Sequence, residues 1–164
     1  MYLVTGCAGF IGFHFSLLLL KKGKKVIGID NINNYYDQKL KRDRLKNLKK
    51  FKNFLFFKID IRNNKKLKSV FKKYKISYVI NLAAQAGVRY SLVNPQKYIK
   101  VNILGFINFL KVLKQNTKKL YYASSSSVYG ESNNFPLNEK EKLHPKNVYG
   151  ITKKLNEIIA EDYF

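Results

Sequence analysis

Cysteine occurs once in these 164 residues, at Cys7, tryptophan not at all and proline three times. A single cysteine excludes a disulfide framework and any metal site built from cysteines, and it points to a reducing, cytoplasmic setting. No apolar run is long enough for a membrane helix. The longest, Phe13 to Leu20, is interrupted by His14 and Ser16 and falls well short of a bilayer's thickness. No basic stretch precedes it, so a secretory signal is not expected either. Acids are scarce as well: 10 Asp+Glu stand against 32 Lys+Arg, for a net charge of +22. A field of that size attracts nucleic acid and anionic surfaces without selectivity. The lysines, however, are scattered in pairs (Lys21-Lys22, Lys49-Lys50, Lys72-Lys73, Lys118-Lys119, Lys153-Lys154) rather than gathered into one arm. Arginine is scarce, and the residues in excess (Lys, Asn, Ile, Phe, Tyr) share A/T-rich codons. A biased genome accounts for the charge, and no specific nucleic-acid partner and no membrane are expected.

What the chain does have is a core. Its hydrophobic content is 46%, and its length is one domain's worth, enough to bury roughly two thirds of the unfolded surface. Short apolar runs alternate with helical patterns. Strands are expected at Tyr2–Thr5, Lys25–Asp30, Phe54–Asp60, Tyr78–Leu82 and Leu120–Ser124. Helices are expected at Phe10–Lys22, from about Gln38 to Lys50, at Asn64–Tyr74, at Gln96–Gln115 and from Val148 to the end, with Ala83–Pro95 as a loop. Strands separated by helices make a parallel sheet with helices on both faces. Right-handed crossovers then give the doubly wound α/β order 3-2-1-4-5, a Rossmann-type domain over residues 1–164, with ligand at the C-terminal strand ends.

The chemistry-bearing residues fall at those ends. After strand one, Gly6, Gly9 and Gly12 are spaced three apart and open a helix. Such a turn lets backbone N–H groups and the helix dipole approach a pyrophosphate with no Cβ in the way. Strand two ends in Asp30, 18 residues past Gly12, the spacing at which a carboxylate accepts from an adenosine ribose and repels a 2′-phosphate. Asn31 and Asn33 follow it. After strand three, Asp60-Ile61 is open to two readings, an adenine contact or a helix N-cap region. Strand four runs into Leu82-Ala83-Ala84-Gln85, small residues against which a flat ring can lie. Arg89, further on, either faces a phosphate or carboxylate or is a solvated surface residue. Strand five ends in Ser124-Ser125-Ser126-Ser127. The last helix carries Tyr149 and Lys153, four apart and so on one face. A lysine ammonium beside a phenol favours the phenolate and makes the tyrosine a usable general base. His14 is expected as a core or helix histidine and His144 as a loop residue.

Together the glycine turn, Asp30, Leu82-Ala83-Ala84, the serine run and Tyr149…Lys153 resemble the NAD-dependent epimerase/dehydratase family of extended short-chain dehydrogenases/reductases. The strings Gly28-Ile29-Asp30-Asn31…Asn33…Tyr35-Tyr36-Asp37, Ala83 to Ser91 and Tyr122 to Gly130 are similar to its UDP-glucuronate 4-epimerase branch. The resemblance implies an NAD cofactor, a nucleotide-sugar substrate and transient oxidation at C4. It assigns Tyr149 as base, Lys153 as the residue that holds the nicotinamide ribose, and Ser125, or failing it Ser126, as the catalytic hydroxyl. Cofactor contacts would also come from Gly6, Gly9, Phe10, Ile11, Gly12, Asp30, Asn31, Asn33, Asp60, Ile61, Leu82, Ala83, Ala84, Gln85 and Asn102, and substrate contacts from Arg89, Ser125 and Tyr149. No metal is implied. Relatives that dehydrate the sugar carry an acid just after the catalytic serine or threonine. Here Ser126 and Ser127 stand there, which favours epimerase over 4,6-dehydratase.

By the same pattern the chain is the N-terminal half of such an enzyme, truncated before the substrate region, and a homodimer through the long helices is common in the family. Weak NAD binding and negligible turnover are expected of these residues alone, with strand five as an exposed sheet edge. The other readings are a non-catalytic NAD-binding remnant, or one half of a split enzyme.

Overall fold

The computed structural model describes residues 1–113, 117–132 and 135–163. The chain divides into two compact units: Met1–Ala83 with Val112–Ala123, and Ala84–Lys111 with Ser124–Phe164.

The first unit holds a five-stranded, all-parallel sheet in the order β3-β2-β1-β4-β5, the doubly wound order read from the sequence. Its strands are β1 (Tyr2–Thr5), β2 (Val26–Asp30), β3 (Phe54–Lys58), β4 (Tyr78–Asn81) and β5 (Lys119–Tyr122). The helices α1 (Phe10–Lys21), α2 (Gln38–Leu48) and α3 (Asn64–Lys73) lie in the crossovers. β2 is buried at every position, as a central parallel strand covered on both faces must be. β3 and β5 are the outer strands, and on β5 Lys119 and Tyr121 are exposed. One apolar cluster joins β1, α1, β2, α2 and β3 through Val4, Leu19, Leu20, Val26, Ile32, Leu45, Leu48 and Phe54. Cys7 lies inside it. Gly28 leaves the space that its sulfur and the Phe54 ring occupy, since a Cβ there would come within 2.6 Å of Sγ. Burial first, and then the charge of Asp30, push the Cys7 thiol well up, so this cysteine is core packing.

The second unit is helical. It contains α4 (Val88–Val93), α5 (Pro95–Tyr98), a π-helical turn (Ile99–Leu104), α6 (Gly105–Leu110), a 3-10 turn (Ser126–Val128) and α7 (Val148–Tyr163). Two expectations change here. The stretch Ala83–Pro95, expected as a loop, contains α4. Gly87 at φ 95 turns the chain into it, and Asn94 ends it, because a residue before proline is driven out of the helical region. Asn94 then caps α5, accepting from the Lys97 N–H at 3.3 Å. The expected helix Gln96–Gln115 starts one residue earlier and widens into a π turn. Its expected end lies outside the described residues, and α6 ends at Leu110. Strands three, four and five also stop one or two residues short of their expected ends.

Candidate functional site

Geometry at the glycine turn in the first unit begins with Thr5. Its hydroxyl donates to Asn81 Oδ1 at 2.6 Å and accepts from the Leu82 and Ala83 N–H groups at 3.1 and 3.0 Å. One side chain thus ties the end of β1 to the end of β4. Gly6 follows with φ 68, its Cα against the Leu82 and Ala83 backbone, where a Cβ would meet Ala83 N at 3.0 Å. A Cβ on Gly12 would run into the Gly6 carbonyl oxygen. The turn is therefore as tight as a backbone can be drawn. Gly9 is the N-cap of α1, with no side-chain cap and no acid in the first turn. The Phe10 and Ile11 side chains are exposed, so what these residues offer a ligand is the uncapped N–H groups of a helix start.

Asp30 is 7% exposed. Its Oδ2 accepts from Ala8 N–H at 3.1 Å and its Oδ1 from Ile32 N–H at 2.8 Å, so the acid that was expected to read a ribose also pins the glycine turn. Asn31 donates to Asp60 Oδ2 at 2.8 Å and accepts from the Asn33 N–H at 3.1 Å. Asp60 lies in the turn before α3 but is not its cap: Asn63 caps α3, accepting from Lys66 N–H at 3.0 Å. Asp60 instead faces Arg62, with Nε–Oδ1 at 2.8 Å. Burial alone would raise its carboxyl, but the bonds from the Arg62 side chain and backbone and from Asn31 outweigh it and hold the group at about 2. The Ile61 side chain is buried, which leaves only its backbone for a ligand. Two residues of this neighbourhood were not read from the sequence. Lys41, 4% exposed, donates to the Asn33 carbonyl at 3.1 Å and to Asn33 Oδ1 at 2.7 Å. Arg44 donates to the Ala8 carbonyl at 3.3 Å. Neither has a local signal, because their partners lie 8 and 36 positions away.

In the second unit Asn147 Oδ1 accepts from Gly150 N–H at 2.8 Å and caps α7. Tyr149 and Lys153 are on one face of that helix, with Lys153 Nζ 5.9 Å from the Tyr149 ring centroid. Lys153 is 6% exposed, and burial pushes its ammonium down to about 8 from an ordinary 10.5. The Tyr149 ring meets the edge of Tyr98, whose own hydroxyl donates to the Ala86 and Gly87 carbonyls at 2.7 and 2.6 Å. Gly150 lets α7 press on the serine turn, since a Cβ there would strike the Ser127 carbonyl oxygen and come within 3.0 Å of Pro145. Ser125 opens that turn, its Oγ accepting from Ser127 N–H at 3.2 Å, and Ser126 is exposed. The carboxylate bonded to the serine run is Glu157, which accepts from Ser124 Oγ two turns along α7 from Tyr149.

Asn102, on the π turn, is 2% exposed. Its Oδ1 accepts from the Gln85 N–H at 2.8 Å, and its Nδ2 donates to the Gln85 carbonyl and Thr152 Oγ1, both at 3.0 Å. Both its amide hydrogens are used within the protein, and Gln85 is equally buried. Ala84, just before Gln85, is half-buried. Arg89 is exposed on α4 rather than in a loop. His14 is a helix histidine, exposed on α1 with its ring against Phe10 and Phe13, and His144 is exposed in a loop. Among the described residues no cluster of metal-ligating side chains occurs, and no helix is long and apolar enough to cross a membrane.

A parallel 3-2-1-4-5 sheet with a glycine turn after its first strand defines a Rossmann-like fold. A sequence model of the GDP-mannose 4,6-dehydratase family matches residues 3–164, and the chain belongs to that family, the NAD-dependent epimerases and dehydratases. The chain is 50% identical over 165 residues to a UDP-glucuronate 4-epimerase of Thermodesulfobacterium geofontis, covering 99% of this chain and 50% of that protein. To Protein CapI of Staphylococcus aureus it is 48% identical over 163 residues, covering 98% of this chain and 48% of that one. Its fold superposes on the crystal structure of the UDP-glucuronic acid 4-epimerase from Bacillus cereus, in complex with UDP-glucuronic acid and NAD. There the TM-score is 0.90 and the identity 34%, covering 99% of this chain and 51% of that one. The chain spans about half the length of the relatives it matches.

Proposed function

We propose that this chain carries the cofactor-binding turn and the catalytic base of an NAD-dependent nucleotide-sugar 4-epimerase, of the type that converts UDP-glucuronate to UDP-galacturonate. The observation that carries the reading is α7. Tyr149 and Lys153 share a face of a helix packed on a serine turn, and the two positions after Ser125 hold Ser126 and Ser127 instead of an acid. A 4,6-elimination needs a proton donor for the departing 6-hydroxyl. The family's dehydratases place an acid after the serine, and here Glu157 is already spent on Ser124.

The residues present fit NAD. Gly12 lets the turn close, since a Cβ there would strike the Gly6 carbonyl oxygen, and the first N–H groups of α1 stand without a side-chain cap. Asp30 would accept from a ribose hydroxyl and repel a 2′-phosphate. When bound, NAD would supply a hydride acceptor that also gives the hydride back. The protein's part is proton handling and orientation. Tyr149, as phenolate, takes the proton of the sugar 4-hydroxyl while Ser125 shares that hydrogen bond. The charge on Lys153 favours the phenolate and holds the nicotinamide ribose. The keto sugar then turns over in the site, and the same phenol returns its proton to the sugar 4-oxygen as the hydride comes back to the opposite face of C4. Protein expressed from the full reading frame that contains these residues should turn UDP-glucuronate into UDP-galacturonate, and Tyr149→Phe should lower the rate by at least about a thousandfold with NAD still bound. Formation of a 4-keto-6-deoxy sugar would refute the assignment.

A further inference from the structure

In an all-parallel sheet every strand starts at the same edge, so the connections that lead into the strands of the first unit are neighbours. Hydrogen bonds tie them into a row. Asn53 Nδ2 donates to the Lys24 carbonyl at 2.7 Å, Tyr2 N–H to the Lys25 carbonyl at 2.9 Å, Ser77 N–H to the Met1 carbonyl at 3.0 Å and Lys118 N–H to the Ser77 carbonyl at 2.7 Å. These connections are rich in lysine. Residues 21–25 carry four, 49–53 three, 72–76 three and 117–119 two, every one exposed, with no acid and no arginine among them. The acids of this unit stand elsewhere: Asp30 ends β2, Asp60 follows β3, Asp37 caps the start of α2 and Asp43 lies within it. Spaced along the chain as separate groups, these lysines are brought side by side by the fold, over roughly 20 Å of sheet edge at about 4.8 Å per strand. A helix dipole accounts for a lysine in a last turn, as at Lys21, Lys72 and Lys73. It does not account for Lys24, Lys25, Lys52, Lys75 and Lys118, which lie past the helices.

The same edge holds a recess of about 380 Å³ between the end of α3 and Thr117. Buried Phe71 and Ile76 give it an apolar lining, and exposed Lys72, Lys73 and Lys75 border it. Thr117 Oγ1 is buried there with no hydrogen-bond partner among the described residues. We propose that this edge of the first unit is a docking surface for an anionic phospholipid bilayer. Such a bilayer presents a diffuse sheet of phosphate charge, which many flexible ammonium groups meet at once. Bidentate contacts to nucleic acid call for arginine forks instead, and this edge has none. A recess with an apolar lining and a lysine border suits an amphiphile, whose headgroup meets the charge while its first carbons meet Phe71 and Ile76. Held this way, the unit would keep its glycine turn, at the opposite strand ends, turned to solvent.

Flotation with vesicles of equal parts phosphatidylglycerol and phosphatidylcholine tests this, on protein from the full reading frame at about 0.15 M salt. The wild type should bind these vesicles and leave pure phosphatidylcholine alone. Lys24→Gln, Lys25→Gln, Lys52→Gln and Lys75→Gln together should weaken binding at least about tenfold. Lys39→Gln, Lys58→Gln, Lys65→Gln and Lys66→Gln remove the same charge from exposed positions at the opposite strand ends, and should leave binding within about twofold of the wild type. Equal losses from the two sets, or no binding to the anionic vesicles, would overturn the proposal. So would an edge variant that keeps the vesicles and loses a short RNA, since the edge would then serve nucleic acid. Circular dichroism and the melting temperature report whether the edge variant is folded. Where it is not, Lys24→Gln with Lys25→Gln alone should still weaken vesicle binding at least about threefold, and unchanged binding by that folded pair would count against the surface.

Discussion

A buried lysine is costly to keep charged, and Lys153 shows the cost in a form that can be measured. Burial brings its ammonium to about 8 in the folded chain, against an ordinary 10.5. Below about pH 8 the group is protonated whether the chain is folded or not, and the folded state carries the whole penalty, about 3 kcal/mol. Between pH 8 and 10.5 the unfolded chain binds more protons, so stability rises with pH, and above that range the penalty is gone. Urea denaturation should therefore show the wild type gaining up to about 3 kcal/mol more than Lys153→Met across this window, with parallel curves as the contrary result. On the proposed function the lysine is kept for its place one turn from Tyr149, on the same face of α7. Asp60 shows the opposite balance, a half-buried carboxylate that four donors from Arg62 and Asn31 keep ionised.

At the scale of elements, α7 and the serine turn act as one piece because Gly150 has no side chain. Gly150→Ala would put a methyl group against the Ser127 carbonyl and Pro145. Overpacking of this kind costs about 1–3 kcal/mol, and it moves Tyr149 off the turn. Denaturation should report the loss, and NAD affinity should change far less than turnover; unaltered stability would contradict the packing account. The glycine turn, Asp30 and the Tyr149–Lys153 pair were all legible in the sequence, because each is a matter of local spacing that backbone geometry converts directly into position. The strands were legible for the same reason, as short apolar runs such as Val26–Asp30. The short helix α4 was not, since its limits are set by one positive φ at Gly87 and by Asn94 standing before a proline. Nor was the π turn, where Asn102 bonds Gln85, 17 positions away, and Thr152, 50 positions away. The Thr5 hydroxyl, which reaches 77 and 78 positions to hold Leu82 and Ala83 beside the glycine turn, lay equally beyond local pattern.

For the molecule as a whole, the net charge of +22 bears on rates more than on fold. Dinucleotides and nucleotide sugars are anions, and a field of this sign draws them in. Their association with the protein should slow about tenfold or more between about 0.01 M and about 1 M salt, as the Debye length shrinks from about 30 to about 3 Å, with dissociation little changed. Stopped-flow binding of NAD reads this directly, and a rate indifferent to salt would show that the charge plays no part in capture. The sequence similarity to UDP-glucuronate 4-epimerases covers both units. The proposed function makes one chemical claim, that a hydride leaves C4 of the sugar and the same hydride comes back.

UDP-glucuronate labelled with deuterium at C4 tests that claim most directly, with protein from the full reading frame and the product read by NMR and mass spectrometry. The account predicts UDP-galacturonate that keeps its deuterium at C4, because the label would leave and rejoin C4 as hydride without exchange with solvent. Product in which solvent hydrogen has replaced the deuterium, or a sugar that has lost its 6-hydroxyl, would contradict it.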